Sequence, residues 1–228
     1  MNKITLFLTV LFAARGAALA LEPGTFVSDG RRDRQQIALT FDDGPGEYTK
    51  QVLDVLDRYQ VKATFFMNGD QVEIRPEIAR DVLRRGHEIA DHTHTHMNFY
   101  AYLKKNGLEA TQAKIRSEIK KSKEMIEKTV GGEVRICRMP HGFHKPWMKD
   151  IAKEFGYTLV NWTFGEDWLN VPQEKMSADY VKNVKPGAIL LFHDGGRKRD
   201  KTVAVVPQVI EEAKRRNLSV VTVGELLR

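Results

Sequence analysis

The sequence predicts an α/β fold: one domain around a sheet of about seven parallel strands, buried on both faces. Three observations carry that expectation. From Gln36 to the C-terminus, short β-branched or aromatic runs alternate with amphipathic segments, the pattern of successive strand–helix–strand units. The strands are nearly all apolar, as in Gly187-Ala188-Ile189-Leu190-Leu191-Phe192, which is how a strand buried on both faces reads. Clusters of chemistry-bearing residues fall just after strands, where barrels and open α/β sheets both place their sites. An open doubly wound sheet and a barrel fit these observations equally well.

The elements follow in order. Ile37–Phe41 reads as the first strand, and Tyr48–Tyr59 as a helix whose apolar face is Val52, Leu53, Val55 and Leu56. Val61–Met67 is the second strand. Pro76 opens a helix that runs to Arg85, and Gly86 stops it. Glu88–Asp91 is a short third strand. The longest helix spans Leu108–Val130, with Leu108, Ile115, Ile119, Ile126 and Val130 on one stripe and Gly131-Gly132 as its end. Val134–Cys137 is the fourth strand, Pro146–Phe155 a helix and Thr158–Phe164 the fifth strand. A helix near Ala178–Val184, the strand Gly187–Phe192, a helix over Val203–Arg216, the strand Ser219–Val223 and a last turn at Glu225–Leu227 complete the chain. No internal repeat, low-complexity segment or linker divides it.

The 228 residues suit one domain with a real core. Residues 1–20 stand apart. A basic start at Lys3, an apolar run Ile4–Ala14 and Ala18-Leu19-Ala20 read as a cleaved secretory signal, too short and wrongly flanked for a membrane span. Export implies a periplasmic or secreted protein with no stable membrane anchor, and residues 21–35 form an N-terminal extension. Lys3 and Arg15 leave with the signal, so the formal +6 becomes +4. That excess is spread over helical faces and argues against a nucleic-acid footprint. Cys137 is the only cysteine, so no intrachain disulfide holds the fold.

Five stretches carry chemistry. Thr40-Phe41-Asp42-Asp43-Gly44-Pro45 places two adjacent carboxylates at a strand end. Two like charges that close need a shared cation or proton; the plain alternative is turn chemistry. Asp91-His92-Thr93-His94-Thr95-His96 holds three of the seven histidines. If extended, all three face one way; if turned, only His92 and His96 converge, and imidazole with a carboxylate suits a metal. Arg138-Met139-Pro140-His141-Gly142 offers a guanidinium for a carboxylate and a stiff loop for an aimed backbone N–H. Glu166-Asp167-Trp168 and Leu191-Phe192-His193-Asp194 follow the fifth and sixth strands.

In this order the five stretches resemble the motif series of the polysaccharide deacetylase family, the NodB-like carbohydrate esterases of family 4. The likeness covers almost everything from Gln36 onward, residues 36–228 as one catalytic domain. It implies a distorted (β/α) barrel with fewer than eight strands, in agreement with the seven read above. It implies Asp42 as catalytic base, Asp43, His92 and His96 as metal ligands, and His94 at a variable position. It implies Arg138 as the partner that orients the base, and the backbone N–H of His141, after Pro140, as an oxyanion donor. His193 resembles the general acid with Asp167 setting its charge, Glu166 being the neighbouring alternative. Leu191 and Trp168 would line the acetyl pocket. Position 141 is histidine where the family usually has an aromatic residue, and Met97 stands where proline often follows.

The expected activity is metal-dependent removal of acetyl groups from N-acetylglucosamine-containing glycans: peptidoglycan, chitin oligomers or poly-N-acetylglucosamine. The expected cofactor is a divalent ion, Zn2+ ahead of Co2+, and the expected state a monomer. Hydrolysis of another amide or ester, such as acetylated xylan, is the alternative within enzymes. A non-catalytic carbohydrate-binding protein is the alternative outside them; none of the reacting groups it would lack is missing. Phe99, Tyr100, Phe143, Trp147 and Trp168 are candidates for sugar stacking.

Overall fold

The computed structural model describes residues 21–228, so the expected signal segment lies outside the described residues. Eight strands form one sheet in which every pairing is parallel. The seven expected strands are present: β2 (Gln36–Gly44), β3 (Thr64–Met67), β4 (Glu88–Asp91), β5 (Ile136–Cys137), β6 (Thr158–Val160), β7 (Ile189–His193) and β8 (Ser219–Val221). The eighth is β1, a two-residue strand at Phe26–Val27 that pairs with β6. It is too short to show any periodicity in the sequence.

The sheet runs β1-β6-β5-β4-β3-β2-β7, with β8 added beside the start of β2. It curls until its edges meet: the chain after β6 donates Thr163 N to Ile189 O at 2.9 Å and accepts at Phe164 O from Leu191 N at 2.8 Å. The result is a distorted (β/α) barrel.

Helices cover the outside. They are α1 (Thr49–Tyr59), α2 (Gly69–Ile74), α3 (Pro76–Arg84), α4 (Phe99–Val130), α5 (Met148–Glu154), α6 (Gln173–Lys182), α7 (Asp200–Arg215) and α8 (Val223–Leu226). The short α2, not expected from the sequence, is a turn and a half between β3 and α3. The long helix begins at Phe99 and breaks at Gly107, whose φ of 80° and ψ of 178° are not helical. The stripe beginning at Leu108 is therefore a second helical body joined to a short first one, which explains why it was legible alone.

Strand side chains alternate between two cores. Ile37, Leu39 and Phe41 of β2 point outward into the large cluster beneath the helices. Ala38, Phe66, Ala90, Ile136, Val160 and Ile189 point inward and fill the barrel. Burying each large side chain contributes about 1.5–3 kcal/mol, so the outer cluster is the main stabilising mass. The inner one is small, and above it the barrel opens into a cleft.

Candidate active site

The inward row of each strand continues into the cleft at intervals of two residues. Above Ala38 come Thr40 and Asp42; above Ala90, His92; above Ile136, Arg138; above Val160, Trp162; above Ile189, Leu191 and His193. A period of two keeps these side chains on one face. Asp42 and His193 are register partners on adjacent strands, as are Thr40 and Leu191. A cleft of about 400 Å³ is bounded by Asp42, Asp43, His92, His96, His141 and His193 and walled by Trp162, Trp168 and Leu191.

Three residues reach the cleft out of phase. Asp43 (φ 70°), His96 (φ 52°) and His141 (φ 56°) all adopt left-handed backbone conformations, sparsely populated for residues with a Cβ. At Asp43 the β2–β3 register slips between Asp42 and Gly44. This bulge turns a side chain that the pleat would send outward back beside Asp42. The Gly44–Pro45 peptide that follows is cis. Gly195 packs directly on the bulge, where any Cβ would overlap the Asp43 carbonyl oxygen.

Arg138 is wholly buried and its charge is matched at one point. Nη1 donates to Asp42 Oδ1 at 2.7 Å and to Thr40 Oγ1 at 2.9 Å, while Nε and Nη2 donate to Val160 O and Asn161 O at 3.2 and 3.1 Å. The guanidinium lies 3.9 Å above the Phe66 ring, a cation–π contact from the barrel interior. Burial raises the Asp42 carboxyl above its ordinary value, and the Arg138 charge opposes that rise. Asp42 is thus a stronger base than an exposed aspartate, held in one orientation.

Asp43, His92 and His96 can hold a metal. Their ligand atoms lie within 4.8 Å of one another, with Asp43 Oδ1 3.5 Å from His92 Nε2 and 3.2 Å from His96 Nε2. Asp43 Oδ1 is buried without a hydrogen-bond partner, an orphaned acceptor that a cation would satisfy. His92 Nδ1 sits 2.7 Å from Arg138 O; donation there leaves the Nε2 lone pair facing Asp43, the arrangement a ligating imidazole needs. Burial pushes the His92 pKa down to about 3, so it stays neutral. Two nitrogens, one oxygen and room for water suit zinc or a similar ion. The turn carrying His96 is held by Glu118, which accepts from Thr95 N and Oγ1 at 2.8 and 2.9 Å. His94 lies beside Gly69 and Ser122 instead and is not one of the three.

On the opposite wall His193 Nδ1 lies 2.7 Å from Asp167 Oδ1, and its backbone N donates to Asp167 Oδ2 at 2.8 Å. Asp167, and not Glu166, is therefore the partner. Burial alone would lower the His193 pKa, but the Asp167 bond and charge, with Asp42 and Asp43 behind them, raise it overall. Thr202 Oγ1 donates to Asp167 Oδ2 at 2.6 Å. Tyr180 OH donates to Leu191 O at 2.6 Å and accepts from Glu166 N and Asp167 N at 3.1 and 3.3 Å. It ties the Asp167 loop to β7.

Comparison with known proteins points to the family that the motifs resemble. A family model described as polysaccharide deacetylase matches residues 29–160. A peptidoglycan-N-acetylglucosamine deacetylase of Bacillus cereus is 39% identical, over 91% of this chain and 96% of that one. The chain belongs to the polysaccharide deacetylase family. A chitooligosaccharide deacetylase of Bradyrhizobium sp. is 30% identical over 82% of this chain and 88% of its own length. The crystal structure of a peptidoglycan N-acetylglucosamine deacetylase superposes with a TM-score of 0.81 at 28% identity, covering 89% of this chain and 92% of that one.

Of the residues expected from the sequence, Asp42, Asp43, His92, His96, His141, Trp168, Leu191 and His193 line this cleft, while Arg138 and Asp167 are paired with Asp42 and His193 at its wall. Pro140 is buried at the start of the 3-10 turn Pro140–Gly142 and does not line the cleft. His141 N has no protein acceptor among the described residues. Trp168 is 47% exposed, and its ring meets that of His193 at 5.4 Å. Of the other stacking candidates, Phe99 and Phe143 are core residues, and Tyr100 packs on Phe143 at the surface. Sequence reasoning missed Trp162, Met139 and Arg199 as cleft residues. Trp162 was within reach, since it stands two positions beyond Val160 in an inward row. Arg199 arrives on a loop whose path no local pattern announces.

Proposed function

We propose that this protein hydrolyses the acetamide of N-acetylglucosamine units in a glycan, such as a peptidoglycan strand or a chitin oligomer, with a divalent metal, zinc first. The observation that carries this reading is the meeting of two charge pairs in one cleft. Asp42 on Arg138 and His193 on Asp167 are register neighbours, and the Asp43, His92 and His96 donors lie beside them. The activities by which the relatives are named support the same bond and sugar class.

Amide hydrolysis needs a base, an acid and a stabilised oxyanion. Asp42 takes a proton at Oδ2, the oxygen that Arg138 leaves free, from the water whose oxygen adds to the acyl carbon. A divalent cation held by Asp43, His92 and His96 would supply Lewis acidity, lowering the pKa of water and polarising the acyl oxygen. The His141 N–H donates to the oxyanion, a contribution of roughly 2.7–4 kcal/mol for one such donor. His193 gives a proton from Nε2 to the amine nitrogen as the C–N bond breaks, and Asp167 keeps it charged until then. Leu191 and Trp168 border the space for the acetyl methyl.

The reading includes residues 1–20 as a cleaved export signal, 21–35 as an extension, 36–228 as the catalytic domain, and a monomer acting in the periplasm or outside the cell. Among the described residues no helix is long and apolar enough to cross a membrane. The test is acetate release from chitin oligomers, peptidoglycan and acetylated xylan, before and after chelation. Release from the N-acetylated glycans, lost on chelation and restored by zinc or cobalt, is expected. Undiminished release from metal-free protein would remove the metal, and release from xylan alone would replace the amide by an ester.

A further inference from the structure

The cleft contains one cation that the reaction does not use. Arg138 is committed to Asp42 and His193 to Asp167. Arg199 borders the same cleft and, among the described residues, has no carboxylate partner. Its Nε donates to Gly195 O at 2.9 Å, which anchors the stem of the guanidinium and leaves both Nη groups unassigned. The nearest acid in sequence, Asp200, accepts from Tyr48 OH at 3.0 Å. Arg199 is only partly exposed. A partly buried guanidinium whose one hydrogen bond goes to a neutral carbonyl keeps an unneutralised charge at the cleft, which an anionic ligand can meet. Arg197 and Lys198 are exposed beside it, and four of residues 197–201 are basic. The positive field therefore leads to the cleft along one rim.

We propose that Arg199 is a specificity-determining residue that selects acidic glycans, binding a carboxylate on the sugar next to the N-acetylated unit. The guanidinium fork matches a carboxylate in a two-point, charge-assisted contact. The exposed Trp168 ring, on the same cleft, offers a face on which a sugar can stack. A neutral oligomer can use the aromatic wall but not the fork, so selectivity is a matter of charge. The inference rests on the reading of the cleft as a glycan site and extends it from bond to substrate class.

The test measures binding and acetate release separately. Tryptophan fluorescence gives Kd for zinc-loaded protein with three length-matched glycans. These are a neutral N-acetylglucosamine oligomer, a peptidoglycan glycan strand whose alternate sugars carry a lactyl carboxylate, and that strand with its carboxylates reduced to alcohols. A fourth, alternating with a uronic acid, distinguishes a lactyl from a ring carboxylate. Wild type is expected to bind at least one acidic strand about tenfold or more tightly over its uncharged counterpart, as hydrogen bonds to charged groups allow. The preference should shrink as salt rises. Arg199→Gln should erase it, and Arg199→Lys should retain part of it. If Arg199 only braced its loop through Gly195, both variants would bind all strands equally badly. Wild-type affinity for both acidic strands no higher than for the neutral oligomer and the reduced strand overturns the proposal. Acetate release from no strand would count against deacetylation alone, since the binding preference still decides the role of Arg199.

Discussion

Asp42 and Asp43 are adjacent in sequence and differ in surroundings, and the proposed reaction gives them different roles. Asp42 is buried against a buried guanidinium, whereas Asp43 leaves an oxygen unpartnered between two imidazoles. Replacing Asp42 with Asn preserves shape and removes the base, so kcat should fall roughly 10²–10⁴-fold while zinc stoichiometry stays unchanged. His92→Ala should lose both metal and turnover. The reverse pattern, measured by metal analysis and acetate release, would exchange the two roles. Asp167 raises the His193 pKa, and in the proposed reaction the protonated imidazole is the competent form. Activity should therefore persist below that raised pKa and fall as pH climbs through it. Asp167→Asn should move the alkaline limb of kcat/KM to lower pH by about one unit or more. An unmoved limb would show that another group sets it.

At the scale of elements, the site depends on how strands end. The β2 bulge and the turn after β4 place Asp43 and His96 through left-handed backbone at non-glycine positions. Each such residue costs of order 1–3 kcal/mol, offset by contacts around it. Behind the His turn, Asp91 accepts from Thr93 N, Ser122 and Tyr157 at 2.6–2.7 Å. Behind the bulge lies Gly195, with backbone where a side chain would need to be. Gly195→Ala should destabilise the fold by about 1–3 kcal/mol and weaken zinc binding, because the Asp43 backbone must move. Calorimetric zinc affinity equal to wild type would show that the bulge is not held there.

For the whole molecule, buried titratable groups set the response to acid. His87 joins α3 to β4, accepts from Ala63 N at 3.2 Å and is pushed down to about 4 by burial. The unfolded chain takes up a proton near the ordinary value of about 6.5, which the folded protein refuses. That contribution to stability is complete above pH 6.5 and is lost as pH falls toward 4. Asp91 and Asp194, raised by burial to about 6 and about 7, act in the opposite sense, so only a difference isolates His87. Urea midpoints of wild type and His87→Asn should converge, relative to their gap at neutral pH, between pH 6.5 and 4. A gap independent of pH would show that His87 is not buried neutral.

The order of strands and helices, the apolar rows and the residues in phase with them were all written locally. Thr40 and Asp42, His92, Arg138, Leu191 and His193 continue inward rows by twos, and a period of two is visible in any sequence. For Asp43 and His141, position was legible only through resemblance, and for His96 only as one of two alternatives, because nothing local marks a left-handed aspartate or histidine. Asp167, and not Glu166, meets His193 on a loop tied down by Tyr180 from α6, with its carboxylate held by Thr202 from α7. Arg199 joined the cleft because its loop folds back from β7 to α7. Sequence alone determined which side chains a strand presents to the barrel interior, since that follows from backbone geometry two residues at a time. The tertiary structure decided which out-of-phase groups join them, since strained turns and loop paths persist only where distant segments pack against them.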